Sequence, residues 1–207
     1  MSRQDWMIVG PLIALGLVPS AGGFYRLAQV LGGAEIAVAD TRFLESPFPV
    51  VSHALGAGVY LVVGAFQFAP EFRRRTREWH RFAGYSVIPL GLYAGLSGLW
   101  MTLFYPVPEG DRGLLATLRL LFGAGMVFAI ALGVLAVLRQ DFVKHRAWMV
   151  RGYAIGLGAG TQVLIGIPWM VFFGAPHGVP RAIMLGAGWA INVAIAEWII
   201  RMAAARD

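Results

Sequence analysis

The chain has 207 residues, of which 58% are hydrophobic and 14% are charged, and its mean hydropathy is +0.67. Soluble domains are about 45–50% apolar and about 25% charged. A soluble domain of this size is therefore excluded, because its surface would have to carry the excess apolar side chains. The absence of cysteine excludes disulfides, iron–sulfur clusters and thiolate metal sites. A net charge of +6 would suit a nucleic-acid-binding protein, but the positions of the charges favour a membrane protein.

Six apolar runs predict six membrane-spanning helices, since a bilayer is crossed by about 20 apolar residues. They are Trp6–Gly22, Pro49–Phe68, Phe82–Tyr105, Gly113–Leu138, Trp148–Phe173 and Ala182–Ile200. We therefore predict an all-α fold, a six-transmembrane-helix bundle that forms a single transmembrane domain over residues 1–207.

The first run allows two interpretations. Arg3, the apolar stretch after it and the small residues at 20–23 also resemble a cleavable signal peptide. We favour a retained helix, because five further spans follow and retention gives the same orientation. The outer loop after this span is the longest, and Phe24–Leu31 is predicted to form an interfacial helix within it.

Basic residues are concentrated on one predicted side of the membrane. Twelve lysines and arginines flank the spans on the side of the two termini, mainly in the connections 71–81 and 139–151, and four lie in the opposite connections. Because cytoplasmic connections are enriched in lysine and arginine, both termini are predicted to be cytoplasmic. The clusters then contact lipid headgroups, and no nucleic-acid partner is predicted.

Two histidine–arginine pairs, 65 residues apart, stand where the third and fifth spans begin on the cytoplasmic side. They are His80–Arg81 and His145–Arg146. Imidazoles from two facing helices can ligate haem iron, and the arginines could bind the propionates. The sequence therefore predicts a b-type haem, or another metal, held by His80 and His145. The alternative is that both pairs anchor helices at the membrane surface.

A histidine and an arginine lie within the membrane on the opposite side. His53 in the second span and Arg119 in the fourth have similar predicted depths. An arginine beside a histidine there can bind an anionic group, a quinone carbonyl or a lipid phosphate, so a second ligand site is predicted. The alternative is that Arg119 extends outward while His53 bonds to a backbone carbonyl.

The last span carries a carboxylate. Glu197 precedes Arg201 by four residues, which is the favourable order for a helical ion pair, so a structural pair is predicted. Arg151 of the fifth span is the alternative partner, and a proton relay is the functional alternative. Asn192 and Gln162 are predicted to form hydrogen bonds between helices.

The motifs around these residues resemble those of a bacterial membrane-protein family, domain of unknown function 2306. The first half carries Ser52-His53-Ala54, Gln67-Phe68 and His80-Arg81-Phe82-Ala83-Gly84-Tyr85. The second half carries His145-Arg146-Ala147-Trp148-Met149-Val150-Arg151, then Trp189, Asn192 and Glu197-Trp198. The resemblance covers residues 50–201 and implies a multi-pass protein of the bacterial inner membrane, with no established reaction. The chain departs from the family pattern at Gln162, which replaces an arginine, so any anion-binding role of that arginine is in doubt here.

The helix plan is similar, more distantly, to that of the ascorbate-reducible di-haem b-type cytochromes. In these proteins helices two and four share one haem, and helices three and five share another. The similarity implies one haem at His80 and His145, whereas His53 and Arg119 would leave the other haem site incomplete. We predict a membrane redox protein that binds one b-type haem and exchanges electrons with quinone. A small transporter, a lipid- or quinone-binding protein, and an accessory subunit of a larger membrane complex are the alternatives.

Overall fold

The structure, a computed structural model, describes residues 1–32 and 42–205. Within this part of the chain the regular structure is helical and contains no strand. The helices are α1 (Arg3–Gly32), α2 (Arg42–Glu45), α3 (Pro47–Phe66), α4 (Pro70–Arg75), α5 (Arg77–Phe104), α6 (Leu114–Leu138), α7 (Phe142–Phe173) and α8 (Gly178–Ala204), with a 3-10 turn at Glu109–Asp111 before α6.

Six of these helices are long and apolar enough to cross a membrane: α1, α3, α5, α6, α7 and α8. This confirms the predicted all-α fold and the six spans. Five of the six helices begin earlier than their apolar runs. The largest extensions are at α5, which begins at Arg77, and at α7, which begins at Phe142. Helix length and composition do not define an orientation, so the cytoplasmic termini stay a prediction.

The first helix is longer than its apolar run. α1 continues as one helix of 30 residues through two prolines and through Phe24–Leu31. The prediction of a separate interfacial helix there is wrong. The extension packs on α3, where a Cβ added to Gly58 would lie 3.6 Å from Cε2 of Phe24. Residues 33–41 of that predicted loop lie outside the described part of the chain, and Arg42–Glu45 form α2.

The chain forms two compact units, unit 1 (Met1–Pro106) and unit 2 (Val107–Asp207). Unit 1 contains α1 to α5, and α3 packs against both α1 and α5. Unit 2 contains α6 to α8, and α7 packs against both α6 and α8. Each unit therefore contributes three of the six spans.

A single carboxylate joins two helix starts in unit 1. Oδ2 of Asp5 accepts the backbone N–H of Ser2 at 3.0 Å, and Oγ of Ser2 accepts the backbone N–H of Asp5 at 3.1 Å. Oδ1 of Asp5 accepts the backbone N–H of Glu71 at 3.0 Å, in the first turn of α4. Because first-turn amides lack helical partners, these bonds satisfy both helix ends and fix α4 beside the start of α1.

A tight turn ends α6 and leads directly into α7 in unit 2. Gln140 adopts φ 59°, and the backbone N–H groups of Gln140 and Asp141 donate to the last carbonyls of α6, as in a Schellman motif. Asp141 then caps α7, since its Oδ1 accepts the backbone N–H of Lys144 at 3.0 Å. The side-chain hydrogen bond from Lys144 is the main cause that lowers the pKa of the Asp141 carboxyl below its usual value.

Large apolar side chains cover the outside of the spanning helices. Phe82 is 72% exposed, Leu138 is 74% exposed and Phe172 is 77% exposed. Apolar surface of this extent is stable when it contacts hydrocarbon rather than water. The protein is therefore a multi-pass membrane protein in contact with the lipid bilayer.

Candidate functional site

The two histidine–arginine pairs occupy equivalent positions in their helices. His80 is the fourth residue of α5 and His145 is the fourth residue of α7. Their backbone N–H groups bond to Thr76 O at 3.0 Å and to Asp141 O at 2.9 Å. Both imidazoles are half-buried in the first helical turn. The similar local setting agrees with the repetition of the histidine–arginine pair 65 residues apart in the sequence.

The imidazole of His145 is held by a backbone carbonyl of α6. Its Nδ1 lies 2.8 Å from Gly133 O. A carbonyl oxygen only accepts, so Nδ1 carries the proton and, in the neutral ring, Nε2 carries the lone pair. Gly133 itself is tightly packed, because a Cβ added to it would lie 2.7 Å from Sδ of Met149. His145 therefore has a fixed tautomer, with the lone pair of the neutral ring on Nε2.

His80 follows a cluster of aromatic side chains at the junction of α3, α4 and α5. The ring of Phe72 lies 4.9 Å from that of Trp79, and Phe66 lies 6.0 Å from Trp79, measured between centroids. These contacts fix the residue that precedes His80. They position the first turn of α5 within unit 1.

The arginines next to the two histidines are available for anions. Arg81 and Arg146 are both exposed, and neither forms an ion pair with any residue that the structure describes. A guanidinium group at a helix start can bind a carboxylate through two parallel hydrogen bonds. Binding of haem propionates by these arginines stays a prediction.

The described residues contain no group of three or more histidine, aspartate or glutamate side chains that could hold a metal ion. A mononuclear site built from three protein ligands is therefore not formed by that part of the chain. Haem iron needs only one or two axial ligands from the protein, because the macrocycle supplies the others. His80 belongs to unit 1 and His145 to unit 2, so a haem or metal that the two would share stays a prediction.

Arg119 is bonded to Asp111, an acidic residue of the 3-10 turn before α6. Nη2 of Arg119 lies 3.4 Å from Oδ2 of Asp111, and Nη1 of Arg181 lies 2.6 Å from Oδ1 of the same carboxylate. Asp111 is buried, with a side-chain exposure of 3%. A buried carboxylate is stable only when it is paired, which explains why two arginines converge on it. The sequence signal was an aspartate placed directly before a helix, near Arg112 and Gly113.

His53 is bonded within unit 1. Its Nδ1 lies 3.0 Å from Oγ of Ser97 on α5. The ring also has a hydrogen-bond interaction with the backbone carbonyl of Ala94, as the predicted alternative has it. Arg119 belongs to unit 2, so a ligand site that His53 and Arg119 would share stays a prediction.

Glu197 pairs with Arg151 across α7 and α8. Nε of Arg151 lies 2.5 Å from Oε1 of Glu197, and Nη2 lies 3.0 Å from Oε2. The guanidinium carbon also lies 4.5 Å from the ring centroid of Trp148. Arg201 is exposed and forms no ion pair with the described residues, so the expected i,i+4 partner is corrected to Arg151. The bidentate geometry across two helices explains this preference.

The amide side chains of Gln162 and Asn192 form the predicted hydrogen bonds between α7 and α8. Nε2 of Gln162 donates to Leu185 O at 2.8 Å, and Nδ2 of Asn192 donates to Ala154 O at 3.2 Å. Thr161 donates to Oδ1 of Asn192 at 2.8 Å. Gln162 is thus committed to helix packing, as predicted for an interhelical hydrogen bond.

Comparison with known families agrees with this architecture. The family model described as predicted membrane protein DUF2306 matches residues 50–200, which include α5, α6, α7 and most of α3 and α8. Neither the curated proteins nor the solved structures gave a significant match. Since the match covers most of the chain, this protein belongs to the DUF2306 family of predicted membrane proteins.

Proposed function

We propose that the chain is a membrane redox protein that binds one b-type haem through His145 and His80 and exchanges electrons with quinone. The observation that carries this proposal is the bond from Nδ1 of His145 to Gly133 O at 2.8 Å. Histidines that ligate metals commonly donate their second ring proton to a carbonyl or carboxylate, which fixes the ring and makes the ligating nitrogen more basic. His145 meets that requirement.

The second ligand rests on the sequence. His80 repeats the helix position of His145, since each is the fourth residue of its helix, and each is followed by an exposed arginine. In this proposal Arg81 and Arg146 bind the propionates, and the histidines hold the iron. A bound haem would supply one-electron transfer.

A set of histidine variants tests the proposal. The wild-type protein, expressed with added haem precursor and purified in detergent, is expected to give the reduced-minus-oxidised spectrum of a b-type cytochrome. His145→Ala and His80→Ala are expected to lose the spectrum. His177→Ala is the matched control, because His177 is exposed in the connection before α8 and its Nδ1 lies 3.1 Å from Ala175 O.

Chemical rescue separates a ligand from a packing residue. In His145→Gly the missing imidazole is expected to be replaced by free imidazole, which restores the spectrum. A colourless wild-type protein would overturn the proposal, and so would a His145→Ala variant with the wild-type spectrum. In either case the histidine–arginine pairs would be surface anchors, and the protein would be tested as a lipid-binding protein, a transporter or a subunit of a larger complex.

A further inference from the structure

A dense group of basic residues surrounds the short helix α4 between the second and third spans. The stretch 71–81 carries five arginines against two glutamates, which leaves a net charge of +3. We call the five basic residues the arginine cluster: Arg73, Arg74, Arg75, Arg77 and Arg81. All of them belong to unit 1.

The arginine cluster is held next to the ends of two spans. Three residues separate α4 from the end of α3 at Phe66, and only Thr76 separates it from α5. Both neighbouring helices are long and apolar enough to cross a membrane. The ring of Phe72 on α4 packs 4.9 Å from that of Trp79 on α5, and Asp5 binds the first turn of α4. These contacts fix the arginines where a spanning helix reaches the lipid headgroups.

The charges of this cluster are weakly neutralised within the protein. The Nη2 atoms of Arg74 and Arg75 lie 3.9 and 3.8 Å from the two carboxylate oxygens of Glu71, which is too far for a hydrogen bond. Their side chains are 72% and 76% exposed, and ion pairs with this exposure contribute little. Arg77 is also exposed and is not ion-paired within the described part of the chain. Guanidinium donors therefore remain available to an acceptor outside the protein.

The outer surface of α5 changes from basic to aromatic as the helix enters its span. Arg77, Arg81 and Tyr85 follow one another at intervals of four residues, so they share one side of the helix. Tyr85 is 73% exposed, and Phe82 beside it is 72% exposed. A phospholipid has the same order of chemistry, because its phosphate lies at the surface and its acyl chains lie deeper. A soluble anion would contact the arginines alone.

We propose that the arginine cluster binds the phosphate of an anionic phospholipid, whose acyl chains lie along Phe82 and Tyr85. Guanidinium groups bind phosphate through charge-assisted hydrogen bonds, and four to eight basic residues beside a spanning helix attract anionic lipids. The inference goes beyond the proposed function and does not depend on haem.

The basic connection of unit 2 differs in how its charges are paired. Nζ of Lys144 lies 2.8 Å from Oδ2 of Asp141, and Arg151 is bonded to both carboxylate oxygens of Glu197. Acidic partners within the protein therefore occupy two of the four basic residues in the stretch 139–151. This difference assigns the lipid site to unit 1.

Native mass spectrometry of the full chain in detergent tests the proposal. The probes are dioleoyl phosphatidylglycerol, which is anionic, and dioleoyl phosphatidylcholine, which has the same acyl chains and no net charge. The wild-type protein is expected to bind the anionic lipid more tightly. Replacing both Arg74→Gln and Arg75→Gln is expected to lower this affinity by up to about 30-fold, a factor of about 5 for each arginine. Binding of phosphatidylcholine is expected to stay unchanged.

Two further double variants separate a local site from general charge. Arg139→Gln with Arg201→Gln removes two exposed arginines from unit 2 and is expected to keep the preference of the wild-type protein. Arg74→Lys with Arg75→Lys retains the charge and is expected to keep most of the preference. Arg81 is left unchanged in all variants, since the proposed function assigns it to haem.

Competition with inorganic phosphate distinguishes a lipid from a soluble anion. Excess phosphate is expected to leave the lipid bound, because phosphate has no acyl chains to contact Phe82 and Tyr85. Equal binding of the two lipids, or a preference that survives the loss of Arg74 and Arg75, would overturn the inference. So would an equal loss in the unit 2 variant or displacement of the lipid by phosphate.

Discussion

The ion pair between Arg151 and Glu197 gives the sharpest prediction about stability. Glu197→Gln keeps the shape of the side chain and removes its charge, which leaves the guanidinium of Arg151 with the ring of Trp148 at 4.5 Å and no carboxylate. A full pair at about 4 Å with an effective dielectric constant of about 20 has a Coulomb energy of about 4 kcal/mol, before desolvation is subtracted. The change therefore removes a large attraction.

The solvent exposure of the two side chains determines how much the ion pair contributes to the free energy of unfolding. The side chains of Arg151 and Glu197 are 25% and 32% exposed. Exposed pairs contribute about 0–1 kcal/mol, whereas breaking a buried pair costs about 3–5 kcal/mol. We expect Glu197→Gln to lower the free energy of unfolding by about 2 kcal/mol, a change of about 30-fold in the unfolding equilibrium.

A double-mutant cycle in mixed micelles measures this energy. Arg151→Gln is expected to cost a similar amount, and the double variant is expected to cost less than the sum of the two by about 1–2 kcal/mol. Arg201→Gln is the control and is expected to change stability by less than about 0.5 kcal/mol, because Arg201 is exposed. Additive effects of the two single changes, or an effect of Arg201→Gln as large as theirs, would refute the reasoning.

Three further predictions concern helix packing and the turn between α6 and α7. Gly158→Ala is expected to destabilise unit 2 by about 1–3 kcal/mol, because its Cβ would overlap the ring of Trp189, whereas Gly166→Ala is expected to be neutral or stabilising, since its nearest neighbour would be 4.0 Å away; thermal unfolding of the two variants checks this. Gln140→Gly is expected to stabilise the protein by up to about 1 kcal/mol, because Gln140 adopts φ 59°; an unchanged or lower unfolding midpoint would contradict it. The lowered pKa of Asp141 means that its carboxylate stabilises the fold above the ordinary value of 3.8, and that this contribution is lost as the pH falls through the lower folded-state pKa. Unfolding measured from neutral pH to pH about 3 is expected to show a smaller pH dependence in Asp141→Asn than in the wild-type protein, and equal slopes would argue against the cap.

The fold could be predicted from the sequence because the length of an apolar run is a strong and local signal. A run of about 20 apolar residues needs a helix whatever its neighbours are, so six spans were predictable. The ends of the helices were harder to predict from the sequence. The first turn of α5 at Arg77, for example, is polar, and its helical structure depends on capping and packing. The extension of α1 through Phe24 depends on a contact with α3 that no local pattern encodes.

The partners of the site residues depended on contacts between distant segments. Glu197 could reach Arg151 or Arg201, and only the packing of α7 on α8 selects Arg151. Arg119 lies on α6, and its carboxylate partner lies in the preceding 3-10 turn and is shared with Arg181 of α8. The bond between His53 and Ser97 joins residues 44 positions apart. In each case residue type identified the candidate, and tertiary packing determined what it contacts.

Electron paramagnetic resonance of the oxidised wild-type protein tests the central claim most directly. Two imidazole ligands from His145 and His80 predict a low-spin ferric signal with one haem per chain. The signal is expected to become high-spin or disappear when either histidine is replaced by alanine, and to persist in His177→Ala. A protein without haem after expression with added precursor, or a low-spin signal that survives His145→Ala, would contradict the account.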